Sequence, residues 1–271
     1  MTYWRGKVAL ITGGSAGFGK VLARTLLGLG AQVAVAARDR HRLATCVAEL
    51  GGEQNQIAGF AADITLDEQV DTLFSQTLER FGRLDMLVNN AGRSSRGNVL
   101  ETSIDEFREL LDLNFLSMAR CTRAAAPYLA QSRGHLVNIG SLASKTAALY
   151  LGAYPPSKFA VAAYSHQVRL ELAAQGVHVL LVCPGPIARD AAEQRYQEQG
   201  KDLPETARLP GAGVKLKGIP PKKLATRILR ACQRRQTDLV VPSRARLLFA
   251  LAQFAPAWSD WIITKMTSER K

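Results

Sequence analysis

The chain is missing the features that define several protein classes. No apolar run in its 271 residues approaches the roughly 20 residues that a membrane-spanning helix needs. The first residues lead into an apolar stretch after Lys7, without the long apolar segment and small-residue cleavage site of a secretory leader. A cytoplasmic protein is therefore expected. Cysteine is scarce: Cys46, Cys121, Cys183 and Cys232 are scattered, form no C-x-x-C, and show no spacing that pairs them with the four histidines. Reduced, buried thiols are expected, with neither disulfides nor a metal site. Acidic residues thin out only near the end. Lys215–Lys271 holds 13 Lys/Arg against 3 Asp/Glu, which is +10 of the net +12, while residues 1–214 hold 22 basic and 20 acidic side chains. Charge alone would support nucleic-acid binding; no motif accompanies it, and no nucleic acid is expected as a partner. No internal repeat or low-complexity segment is found.

What is present is an alternation of short apolar runs with helix-length amphipathic segments. Val8–Ile11, Gln32–Ala37, Ile57–Ala62, Met86–Val88, Leu136–Ile139 and Val177–Val182 read as strands, with Asp238–Val241 as the last. Continuous apolar runs suit strands covered on both faces. Helices are expected between them, including two segments within 103–131 and a long one running to Ala174. Right-handed β-α-β crossovers then give an α/β fold, a doubly wound parallel sheet with helices on both faces. In such sheets ligands sit at the carboxyl ends of the strands.

The residues with chemical potential fall at those ends. Thr12-Gly13-Gly14-Ser15-Ala16-Gly17-Phe18-Gly19 joins the first strand to a helix, where backbone N–H groups and the helix dipole favour a phosphate. Tyr154 and Lys158 stand one helical turn apart. An ammonium beside a phenol stabilises the phenolate, lowering a pKa of roughly 10 so that the phenol can trade a proton near neutrality. Taken singly each feature is ambiguous, since Tyr-x-x-x-Lys is often only a solvated helix face. Asn114 alone suits a helix end, Ser144 competes with Ser141, and Asp39 and Asp63 could cap helices.

In their order these pieces resemble the short-chain dehydrogenase/reductase family over about residues 5–242. The matching residues are the turn at Thr12–Gly19, Asp63, Asn89-Asn90-Ala91-Gly92, Asn114, Ser141, Tyr154 and Lys158, and Pro184-Gly185. The resemblance implies a Rossmann-like fold and hydride transfer between a nicotinamide cofactor and a carbonyl or alcohol. It places the cofactor along Gly13, Ser15, Ala16, Gly17, Phe18 and Gly19, at Asp63 and Ile64, at Asn89, Ala91 and Gly92, at Tyr154 and Lys158, and at Pro184, Gly185 and Ile187. Within that set Asp63 would bind adenine, and Asn89 with Ala91-Gly92 would line the nicotinamide ribose. Tyr154 would be the general acid or base, Lys158 would tune it, Ser141 would hold the substrate oxygen, and Asn114 would anchor a water leading to Lys158.

Cofactor choice turns on the end of the second strand, where a carboxylate would repel a 2′-phosphate. Here the chain has Ala37 followed by Arg38, with Arg40 and Arg42 close by, and a guanidinium fork suits a phosphate dianion. NADP(H) is therefore the expected cofactor. Three departures stand out: Pro155-Pro156 after the tyrosine, Arg189 where the family commonly has threonine, and Gly140 in place of a common serine, expected to be harmless. With proline favoured only in a first turn, the helix should begin close to Tyr154.

Residues 1–242 are expected to form one catalytic domain, with 186–221 as a polar substrate lid. On 222–235, Lys223, Arg227, Arg230 and Arg234 form a basic stripe opposite Leu224, Ile228 and Ala231. The extension 243–271 reads as two short amphipathic helices around Pro256. Packing on a subunit or on the fold is expected there. The competing reading is a face shared with the basic stripe that contacts an anionic membrane or an acidic carrier. The expected whole is an NADP-dependent enzyme acting on a small carbonyl or alcohol, as a dimer or tetramer. Alternatives are a reductase of a 3-oxo lipid (3-oxoacyl or 3-ketosphinganine-like) and a non-catalytic NADP-binding sensor or scaffold.

Overall fold

The structure is a computed structural model that describes residues 3–51, 56–188, 200–201, 203–209 and 217–267. Seven strands form one sheet: β1 (Val8–Thr12), β2 (Gln32–Ala37), β3 (Ile57–Ala61), β4 (Met86–Asn89), β5 (His135–Ile139), β6 (His178–Pro184) and β7 (Asp238–Val241). Their order is β3-β2-β1-β4-β5-β6-β7, and all pairs are parallel. The order reverses between β1 and β4, which opens a crevice at the carboxyl ends of those strands.

The pleat sends alternate residues to opposite faces. Ala9 and Ile11 of β1, with Leu180 and Val182 of β6, pack beneath one layer. That layer holds α1 (Gly17–Leu27), α2 (Arg40–Leu50) and α7 (Pro221–Gln233). Leu10, Val179, Leu181 and Cys183 face the other way. There they meet α3 (Asp67–Phe81), α5 (Ser117–Ser132) and α6 (Tyr154–Leu172). Full burial of a Leu or Ile contributes roughly 1.5–3 kcal/mol, so these two apolar layers hold the sheet together.

Two expectations change. The segment 103–131 is one helical run, in which α4 (Ile104–Leu111) passes into α5 through a π-helical turn at Asp112–Leu116. The final helices, α8 (Ala245–Phe254) and α9 (Pro256–Thr267), follow β7 onto the face opposite α7. Ala245 and Phe249 pack with Val161, Leu181 and Val240, whereas Leu224 and Ile228 of α7 pack with α1. The basic stripe and the apolar extension therefore lie on opposite faces of the sheet, because the chain changes faces at β7.

Candidate active site

The turn after β1 is shaped for close approach of a ligand. Gly13 and Gly17 have φ of +63° and +53°, a region costly for residues with a Cβ. A Cβ at Gly19 would collide with the Gly13 carbonyl and lie 2.6 Å from Asn90 Nδ2. Asn90 stitches the turn in place by donating to the Thr12 and Gly13 carbonyls at 2.9 and 3.1 Å. Ala16 at the N-cap of α1 has no side-chain oxygen to offer, and the first turn of that helix has no acidic residue. Its leading amides are thus presented to an anion. These residues fit a dinucleotide's phosphates.

Beside the turn lies a cavity of about 630 Å³, with Phe18, Gly92, Ser141, Tyr154, Lys158 and Gly185 in its wall. Tyr154 is the first residue of α6, and the two prolines fill the next two positions, where a missing N–H costs the helix nothing. Ser157 Oγ donates to the Tyr154 carbonyl at 2.7 Å and fixes this turn. Lys158 lies one turn on, its Nζ 5.9 Å from the Tyr154 ring centre and donating to the Ile139 carbonyl at 2.9 Å. Burial pulls the Lys158 ammonium down to about 8.

Ser141 follows β5. Its Oγ accepts from the Ala143 amide at 3.1 Å, and its own amide donates to Ser144 Oγ at 3.0 Å. With a lone pair engaged, the hydroxyl proton is what Ser141 has to give the cleft. Ser144 is buried and supports its neighbour, and Ser141 rather than Ser144 lines the cavity.

Asn114 sits in the π-helical turn rather than at a helix end. Its Oδ1 accepts from the Arg93 amide, and its Nδ2 donates to the Arg93 carbonyl and to Ser157 Oγ, each at 2.9 Å. The side chain is a clamp between residue 93 and the first turn of α6, so the expected water would have to use its backbone. Gly92 makes the clamp possible, since a Cβ there would lie 2.7 Å from Asn114 Oδ1.

Two expected cofactor contacts are placed differently. Asn89 turns its side chain into the core, where Nδ2 donates to Thr122 Oγ1 and Asn138 Oδ1. Ile64 is buried among Ala36, Leu73 and Val70. Neither Asn89 nor Ile64 lines the cavity. Asp63 lies at the end of β3, where its Oδ1 accepts from the Thr65 amide and hydroxyl. Burial alone would raise its pKa, but those bonds and Arg38 outweigh it and hold the carboxyl below its ordinary range. Arg38 is mostly exposed, 3.8 Å from Asp63, and Arg42 pairs with Asp39, which caps α2. Pro184, Gly185 and Ile187 line the cleft, with Gly185 donating to the Val241 carbonyl, and Ala91 stands beside Gly13. Arg189 and most of the 186–221 lid lie outside the described residues; of the lid, Ile187 and Ile219 bridge, and Ala207 accepts from buried Arg96.

The far wall was not foreseen. Leu248 and Phe249 of α8, and Ile262, Ile263 and Met266 of α9, line the cavity. Their apolar spacing signalled amphipathic helices, but nothing in it said where the inner faces pack.

The model of the short chain dehydrogenase family matches residues 7–200. The chain belongs to that family. Among relatives of this short chain dehydrogenase, the granaticin polyketide synthase putative ketoacyl reductase 1 of Streptomyces violaceoruber is 36% identical over 190 residues, covering 69% of this chain and 70% of the relative. The L-fucose dehydrogenase of Bos taurus is 38% identical over 187 residues, covering 69% and 68%. A short-chain dehydrogenase structure from Streptomyces avermitilis superposes with a TM-score of 0.80 at 28% identity, covering 98% of each chain. A variant of the actinorhodin polyketide ketoreductase with NADPH superposes at 0.78 with 27% identity, covering 89% and 97%. The family and the parallel sheet establish an oxidoreductase that uses a nicotinamide cofactor on a small molecule. Among the described residues no helix is long and apolar enough to cross a membrane.

Proposed function

We propose that this protein uses NADP(H) to interconvert a carbonyl and a secondary alcohol, on a substrate with a sizeable apolar body. The observation that carries the reading is the convergence of Ser141, Tyr154 and Lys158 on one cavity, with β2 ending at Ala37 and followed by Arg38 in place of a carboxylate.

A bound nicotinamide supplies a hydride to the carbonyl carbon, and the protein manages the oxygen. The Ser141 hydroxyl donates a hydrogen bond to that oxygen, and Tyr154 gives it a proton. Lys158 stabilises the phenolate left behind, and its two uncommitted N–H donors are available to the ribose. Arg38 takes the 2′-phosphate. NADPH in the actinorhodin relative supports this cofactor choice. Residues 1–242 act as the catalytic domain, and α8 and α9 complete the substrate site. The apolar wall from α8 and α9 favours, as a second reading, a 3-oxo substrate with a lipid-like chain. The subunits associate as a homo-oligomer.

The test is Tyr154→Phe, assayed by NADPH absorbance with ketones of graded chain length. Turnover should fall by roughly 10²–10⁴-fold, with NADPH binding little changed. Comparable turnover in the mutant would end the role given to Tyr154, and a wild-type preference for NADH would end the cofactor assignment.

A further inference from the structure

At the opposite end of the sheet from the cleft, three chemically able side chains meet for which the reaction has no use. His135 and His178 are the first residues of β5 and β6 and are register partners on adjacent strands. Cys232 comes from the last turn of α7. All three are buried, at 1%, 5% and 0% exposure. One ring nitrogen from each histidine and Cys232 Sγ all lie within 4.8 Å of one another.

The outward nitrogens decide how the cluster should be read. His178 Nε2 is 2.7 Å from the Gln236 carbonyl, which can only accept, so that nitrogen carries a proton and His178 Nδ1 presents a lone pair inward. Tyr3 OH is 2.6 Å from His135 Nε2. A phenol can donate or accept, so either tautomer of His135 is satisfied. The two Nδ1 atoms are 2.9 Å apart and share one proton. The two Nδ1 atoms thus face each other across one hydrogen bond, while each Nε2 is tied to an oxygen. That is the arrangement by which ligating histidines are oriented in metal sites.

We propose that His135, His178 and Cys232 form a site for a single Zn²⁺ ion at the amino-terminal end of the sheet. Two imidazole nitrogens and one thiolate suit this borderline-soft, redox-inert cation. Tetrahedral bonds of about 2.0–2.1 Å to nitrogen and 2.3 Å to sulfur put two nitrogens about 3.3 Å apart and nitrogen and sulfur about 3.5 Å apart. The Nδ1 atoms need to part by a few tenths of an ångström, and the Cys232 sulfur has to close toward them. A water takes the fourth position. On binding, the Cys232 S–H bond breaks and its proton leaves to solvent. The shared proton on His135 moves from Nδ1 to Nε2, where Tyr3 now accepts. One proton is released and no electron is transferred. The ion would join β5, β6 and α7 and, through Tyr3, the segment before β1. Strand length puts it roughly 13 Å from the cleft along β5, so it is structural rather than catalytic.

The experiment uses the full, untagged chain, stripped with chelator and dialysed against buffered Zn²⁺. Elemental analysis should find one zinc per chain, and the thermal midpoint should rise by several degrees with free Zn²⁺. Cobalt loading should add a thiolate charge-transfer band. Cys232→Ala and His178→Gln should each abolish stoichiometric zinc, the midpoint rise and the cobalt band, while NADPH binding shows that the variants are folded. Substoichiometric zinc in the folded wild type overturns the proposal. So does zinc that stays at one per chain in either folded variant. If both variants fail to fold, the wild-type zinc content and cobalt spectrum decide.

Discussion

Gly140 follows β5, and its neighbours make substitution there informative. A Cβ at this position would lie 2.7 Å from Ser144 Oγ and 3.0 Å from the Val182 carbonyl. The carbonyl cannot yield, because it belongs to β6 and accepts the Gly140 amide at 2.8 Å. In Gly140→Ala the Ser144 hydroxyl must therefore move, and it is the acceptor for the Ser141 amide. Ser144 is 1% exposed, so no water takes its place. Leaving a buried amide unpaired costs about 1–3 kcal/mol, and here the cost falls on the placement of Ser141. Carbonyl-reduction kcat/KM should drop roughly 5- to 150-fold, with NADPH affinity nearly unchanged. Ser144→Ala should lose a similar factor. The double variant should lose no more than Ser144→Ala alone, since removing the hydroxyl removes the clash as well. Wild-type activity in Gly140→Ala, or effects that simply multiply in the double variant, would refute this reasoning.

Three further outcomes are expected. Arg38→Ala should weaken NADPH by about 1.5–3 kcal/mol in a fluorescence titration and leave NADH almost unaffected; equal losses would remove Arg38 from the 2′-phosphate. Because burial pulls Lys158 to about 8, the cation that supports Tyr154 is lost above that pH, so kcat/KM for NADPH should bend downward near pH 8, and a flat profile to pH 9.5 would contradict the coupling. Leu247, Phe254, Trp258 and Trp261 are 77%, 90%, 72% and 63% exposed on the outer faces of α8 and α9. Light scattering should show an oligomer that Phe254→Ser with Trp258→Ser weakens, whereas a monomer that sediments with anionic liposomes at low salt would favour the membrane reading. In that case glutamine at Lys223, Arg227, Arg230 and Arg234 should change little, since α7 lies on the other face.

Most of the sheet was legible because β1, β2, β4, β6 and β7 are buried on both faces and so read as near-continuous apolar runs between amphipathic segments. The phosphate turn and the Tyr154–Lys158 pair were legible for a related reason, as their chemistry depends on spacing within one turn of chain. What escaped the sequence depends on partners far apart in it. Asn114 looks like a helix-end residue because the π-helical turn around it has no compositional mark, and its clamp on Arg93 and Ser157 exists only once α6 has docked. Gly140 looks neutral until the Val182 carbonyl stands beside it. Asn89 and Asn90 are adjacent and identical in type, yet one is spent in the core and the other on the glycine turn, which strand alternation decides. The shared face imagined for the basic stripe and the apolar tail failed because four residues of β7 separate them and turn the chain to the far side of the sheet.

The provenance of the cavity's two walls has a consequence for how such a protein can change. Every side chain assigned to the proton-transfer chemistry precedes residue 160, whereas one whole wall of the chamber is supplied by 248–266. A large part of the chamber's apolar lining thus comes from a stretch of chain separate from the reactive side chains. Exchanging the last two helices for another pair would present the same reactive centre with a new mould. The space beside Tyr154 could be lengthened, narrowed or made polar without disturbing the Asn114 clamp or the phosphate turn. A shift in preferred chain length at constant turnover of the smallest ketone would be the mark of that independence.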